Sequence, residues 1–412
     1  MMLKWRSWLG RVEALICTGM PGLYRVVVFA SVQRVYSTMD LGLTASCMSL
    51  AQLAAFFSGI GWASLILVRV PMAADRRQAI DSFYSAATMA GTTAIAVCCA
   101  SFVVAAVSPS AIDASSFALL LCGWSMYQLA RHYFVACKSY RVAVLFDFAL
   151  IGCSYVALCL CRAHGVPASA ALAYALLAVS FCMFGAIGAP SRAALDHRFD
   201  VKGLQSGMTG FLSSGVNLLF VPIASLTCGA EFAGGFSLLS SITAVAVLLP
   251  RAVSMTQLPE LAKLVASNKP IQSTLQTMHR TVRGSNGGVL GLNVVLVAVV
   301  VYSGADGINF HYRNALIIAG LLLSMQYAVA MSSAVPSNVM MLFEKAGAVA
   351  RVNIKTTFAF AVACALLVWL GGTGGFLSVL AAAVVTAAIR NGLIAKLARR
   401  ASESYARKIL VL

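Results

Sequence analysis

Apolar runs of about twenty residues, the length that crosses a bilayer as a helix, follow one another along the whole chain. Short polar breaks, most of them basic, separate the runs. Spans are predicted near 13–35, 42–68, 80–107, 115–136, 142–162, 168–189, 204–226, 232–256, 285–303, 314–340, 355–371 and 375–396. No break between them is long enough for a soluble domain of ordinary size. The opening MMLKWRSWLGRVEAL sets basic residues before an apolar run, as a leader would, but it shows no small-residue cleavage site. It reads as a retained first helix.

The charges in the breaks give the orientation, because Lys and Arg accumulate on the cytoplasmic side of membrane helices. Counting from inside, alternate breaks hold Lys4, Arg6 and Arg11; Arg69, Arg76 and Arg77; Arg131, Lys138 and Arg141; and Arg192, Arg198 and Lys202. The series continues with Arg251, Lys263, Lys269, Arg280 and Arg283, then Lys345, Arg351 and Lys355, and ends in a basic tail. The intervening breaks hold only Arg34, Arg162 and Arg313, with the acids Asp40, Asp113, Glu231 and Asp306. This alternation predicts an all-α polytopic protein of about twelve transmembrane helices, with both termini cytoplasmic. The stretch PSRAALDHRFDVKG separates two sets of six helices, which suggests an internal duplication. The expected organisation is a lobe at 1–189, a linker at 190–203, a second lobe at 204–396 and a basic tail at 397–412.

Composition agrees with this reading: 60% of the 412 residues are hydrophobic and 10% charged, against roughly 25% charged in soluble domains. Topology and contact with anionic lipid account for the net charge of +17, so nucleic acid is not an expected partner. The twelve cysteines form no CxxC pair and lie mostly in apolar runs. They are expected to be small buried hydrophobes, with no metal site and no cofactor. There is no GxxxxGK[ST] loop for ATP. External connections of a few residues leave little room for a glycosyltransferase or polymer ligase, so no enzymatic activity is expected.

Three stretches carry a resemblance. LGLTASCMSLAQLAAFFSGIGWASLILVRVP, residues 41–71, resembles the second helix of the polysaccharide-exporter flippases, the O-antigen-type lipid-linked oligosaccharide flippases of the MATE-like (MOP) superfamily. The shared features are Gly42 at the start, Gly59 and Gly61 at a break, and Arg69 at the end. RHYFVACKSYRVAVLFDF, residues 131–148, resembles the same family's basic elbow. AGGFSLLSSITAVAVLLPRAVSMTQLPELAKL is similar to its eighth helix, opened by Gly234 and Gly235 and closed by Pro259. Leu43 and Thr44 stand where an aromatic is usual. The resemblance implies two six-helix lobes in a V around a central cavity. It implies export of a polyprenyl-diphosphate-linked oligosaccharide from the inner to the outer leaflet by alternating access, with membrane lipids and other polysaccharide-assembly proteins as partners. The rivals are a cation-coupled multidrug antiporter of the same superfamily, which needs acids rather than bases in its cavity, and an enzyme or scaffold of polysaccharide assembly.

Polar residues inside the spans are then the candidate site. Arg25, within PGLYRVVVFASVQRVY, lies too deep for easy snorkelling, and an intramembrane Arg usually faces protein or a watery cavity. It is either half of an ion pair with Asp147 or Glu13, or a cavity cation for the diphosphate, which a planar guanidinium binds with paired hydrogen bonds. Pro21 and Gly22 before it are expected to bend the first helix. Arg251, eight residues before Pro259, is the matching candidate on the second lobe. Asp147 reads as a proton or sodium site for ion coupling, or as a partner of Arg141 or Arg25. Asn217 and Gln326, with Asn293, Gln52 and Asn338, are interhelical hydrogen-bonding groups or sugar contacts. Residues 257–283 form a basic segment that either lies as an amphipathic helix on the inner surface or simply connects two spans.

Overall fold

The computed structural model describes residues 2–107, 113–191, 201–246, 261, 264–265, 270–303, 312–343 and 345–411. Among them there is no strand, and helical elements stand at each of the predicted spans. The first six are α1 (Met2–Val35), α2 (Thr38–Met72), α3 (Arg76–Val107), α4 (Ala114–Ala136), α5 (Tyr140–Ala163) and α6 (Ala168–Ile187). α7 runs as Lys202–Ser214, a 3-10 turn at Gly215–Leu219, and Phe220–Cys228. There follow α8 (Ala230–Ala246), α9 (Gln272–Ser303), α10 (Arg313–Ser332, resumed as Ala334–Leu342), α11 (Ala346–Val368) and α12 (Gly372–Val411). Eight of the described helices are long and apolar enough to cross a membrane, or nine if the two parts of α7 count as one span.

Local chemistry sets several boundaries. Asp113 caps α4 by accepting hydrogen bonds from the Ser115 and Ser116 amides, two of the donors that a helix start leaves without partners. Hydrogen bonds from the Ser116 hydroxyl and from Ser115 hold its carboxyl below the usual range despite partial burial. The cap is therefore complete above the ordinary carboxylate pKa and weakens only as strong acid protonates it. Gly229, at φ +90°, separates α7 from α8 in a conformation that side chains rarely adopt. α1 continues as one helix through Pro21, so the expected bend there does not interrupt it. The basic segment at 257–283 is described only in part. From Gln272 onward it is the first part of α9, and 257–260, 262–263 and 266–269 lie outside the described residues. The expected linker at 190–203 lies mostly outside them as well.

Residues 1–237 pack into one compact unit and residues 238–412 into a second. In the first, α2 meets α4 on one side and α7 on another, and small residues allow the backbones to approach. The break expected at Gly59 and Gly61 is a π turn, Phe56–Ile60. A methyl group at Gly59 would lie 2.9 Å from Ser125, and one at Gly61 would strike the Gly203 carbonyl. At the other end of α2, a methyl at Gly42 would strike the carbonyl of Ala230, and one at Gly234 that of Thr38. Gly61→Val is accordingly expected to lower thermal stability by about 1–3 kcal/mol, the usual cost of overpacking, whereas the same change at Gly91, which has open space around it, should be tolerated.

In the second unit α12 packs against α10 and α11, and α9 against α10. The Asn391 amide donates to the Val329 carbonyl and, at 3.1 Å, to the Ser332 hydroxyl. Asn293 on α9 is fully buried, and neither atom of its amide has a hydrogen-bond partner among the described residues. Such a group costs about 1–3 kcal/mol. Asn293→Leu, of similar size, should raise the unfolding temperature of the purified protein.

The cysteines correct an expectation. All twelve are free, but only Cys17 and Cys47 are buried, while Cys99, Cys137, Cys153, Cys159 and Cys182 are exposed. A small apolar thiol suits the lipid-facing side of a helix as well as its packed side, so hydropathy alone does not tell the two apart.

Candidate functional site

α1 and α5 run side by side in the first unit, pinned by polar contacts at four levels. At the first, Arg141 meets Glu13 at 2.7 Å. Two levels further along, the Tyr24 and Ser154 hydroxyls share a hydrogen bond at 3.2 Å, both side chains being buried. At the far end the Tyr36 hydroxyl, just past α1, donates to the Val166 carbonyl at 2.9 Å, and Arg162 lies over the Tyr36 ring at 5.2 Å. The Arg141 side chain is 81% exposed, and solvent screens such pairs. Glu13→Gln should leave the unfolding temperature unchanged within error.

The level between is the polar centre of the unit. Asp147 on α5 is 0% exposed and Arg131 on α4 is 6% exposed. The Arg131 Nε reaches the two carboxylate oxygens at 3.2 and 3.3 Å. The Tyr127 hydroxyl also donates to Asp147, and Arg131 Nη2 donates to the Cys17 carbonyl of α1. Three helices thus converge on one ion pair. Tyr127 and Arg131, four residues apart, share a face of α4. Arg131 is therefore not a loop cation, and the partner of Asp147 is neither Arg141 nor Arg25. Arg131 is the buried partner of Asp147 that sequence reasoning missed.

Arg25 sits about 12 Å along α1 from Cys17. It is half-buried, its Nη2 donates to the Ser49 hydroxyl of α2 at 3.5 Å, and its guanidinium lies 5.3 Å from the centre of the Phe29 ring. The two carboxylates weighed as its partners are held by other arginines, Asp147 by Arg131 and Glu13 by Arg141. Asn217 is half-buried in the 3-10 turn of α7, and Gln326 is 6% exposed on α10. Arg251 lies outside the described residues.

No known family profile and no curated protein matches the chain. Solved structures do. The inward-facing conformation of a multidrug resistance MATE family transporter of the MOP superfamily superposes with a TM-score of 0.70 at 14% identity, over 94% of this chain and 96% of that one. The eukaryotic MATE transporter AtDTX14 gives 0.57 at 16% identity, over 98% and 99%. A MOP superfamily transporter from Pyrococcus furiosus, whose reversed binding-pocket polarity suggests a different function, gives 0.59 at 14% identity, over 96% and 95%. At these identities the likeness establishes the fold: all-helical, of the MATE type, which in those transporters comprises twelve transmembrane helices in two lobes.

Proposed function

We propose that this MATE-type fold serves a transporter that works by alternating access on an anionic, lipid-linked substrate. The substrate is an oligosaccharide on polyprenyl diphosphate, carried from the inner to the outer leaflet of the cytoplasmic membrane for surface polysaccharide. The observation that carries the reading is Arg25. A guanidinium stands within a span, donating to a serine hydroxyl and lying against a phenyl face. A diphosphate offers it paired oxygen acceptors. Asn217 on α7 and Gln326 on α10 are the proposed sugar contacts, and Arg251 a proposed second cation.

The multidrug antiporter remains the second reading, favoured by the names of the fold's neighbours. It wants an acid open to cationic substrates, whereas Asp147 is fully buried beneath Arg131 and Tyr127. For Asp147 to act in ion coupling, a proton or sodium ion must displace that guanidinium. Proteoliposomes separate the two readings. The expected result is translocation of a polyprenyl-diphosphate oligosaccharide without proton-driven or sodium-driven uptake of organic cations. Cation uptake without lipid translocation would establish the antiporter instead.

A further inference from the structure

A cleft of ≈ 270 Å³ opens in the second unit between α9, the resumed part of α10 and α12. Its walls differ in chemistry. Val339 and Ala398, both buried, belong to the apolar cluster that joins these three helices and so fix its floor. Gln276 and His279 from α9, with Arg399 and Ser402 from α12, supply a hydrogen-bonding rim. The charge around it is basic: Arg280 and Arg283 follow His279 on α9, and Lys396 and Arg400 flank Arg399 on α12. Among the described residues the acid of the second unit is Glu403, which accepts a hydrogen bond from Arg399 Nε at 2.8 Å. A guanidinium has five N–H donors, so that bond leaves the rest of the fork for another acceptor.

We propose that this cleft binds a phosphate group, and that in the membrane its occupant is the headgroup of an anionic phospholipid. Arg399 and His279 meet the phosphate oxygens, Gln276 and Ser402 the neighbouring hydroxyls, and the apolar floor the start of the acyl chains. Pockets for drug-sized ligands begin near about 300 Å³, so the cleft suits a headgroup and not a transported oligosaccharide. The basic face of a membrane protein is also the one that meets anionic lipid. The inference rests on the second unit alone, and the identity of the transported substrate does not enter it.

The test is a titration of the purified full-length protein with short-chain phosphatidylglycerol, with diacylglycerol as a control that lacks the phosphate. Arg399→Gln combined with His279→Gln should weaken phosphatidylglycerol binding by more than about tenfold, the loss that one hydrogen bond to a charged group alone accounts for, and should leave diacylglycerol binding unchanged. Glu403→Gln, which frees Arg399 and removes a negative charge, should strengthen phosphatidylglycerol binding. A misfolded variant would not produce that gain. Inorganic phosphate is the competing arm. If millimolar phosphate displaces the lipid, the site is one for phosphate itself, and if it does not, the site needs the whole headgroup. Unchanged phosphatidylglycerol affinity in the double variant, or a loss on Glu403→Gln, would overturn the proposal.

Discussion

Asp147→Asn is expected to destabilise the first unit by about 3–5 kcal/mol, the range for breaking a buried ion pair from one side. The substitution keeps the shape of the side chain and removes its charge. Arg131, at 6% exposure, is then left with a positive charge, the Cys17 carbonyl and a neutral amide. Because α1, α4 and α5 all meet at this point, the loss should appear as reduced membrane levels and a markedly lower unfolding temperature in detergent. Arg131→Met should do the same by exposing the opposite charge. The pair Asp147→Leu with Arg131→Met should recover much of the loss, since an apolar pair of similar volume removes both desolvation penalties. If Asp147→Asn leaves stability intact and abolishes only ion-driven transport, Asp147 is a coupling site and not a structural counter-charge.

The pair was legible in the sequence, though the rule that located the helices concealed it. Arg131 and Asp147 each lie eight residues from Ser139, so a tight turn there places them at equal depth on neighbouring antiparallel helices. Counting basic residues at the ends of spans assigned Arg131 to a loop, because hydropathy cannot distinguish a buried charge with a partner from an exposed one near a boundary. The spans themselves were legible because lipid demands long unbroken apolar runs. The glycines of α2 marked a break, but its form as a π turn pressed against α4 and α7 depends on which backbones approach it, and that information lies in distant residues such as Ser125, Gly203 and Gly207. The cleft of the second unit was not legible at all. Gln276, His279, Arg399 and Ser402 come from helices more than a hundred residues apart in the chain, and only packing brings them together.

Arg25 carries the second large expectation, and its effect is on transport. Arg25→Gln and Arg25→Ala remove a donor for the diphosphate worth about 1.5–3 kcal/mol, which corresponds to roughly a tenfold to hundredfold loss of translocation. Arg25→Lys keeps the charge but loses the planar fork, so it should retain part of the activity. None of the three breaks the Arg131 and Asp147 pair, so membrane levels should stay normal. Surface display of polysaccharide in cells that depend on this chain, measured for Arg25→Lys, Arg25→Gln and Arg25→Ala at matched protein levels, is the most direct test of the account. The expected result is partial display with Lys and little or none with Gln and Ala. Normal display in all three would contradict it, because the cation in the first helix would then have no part in moving an anionic substrate.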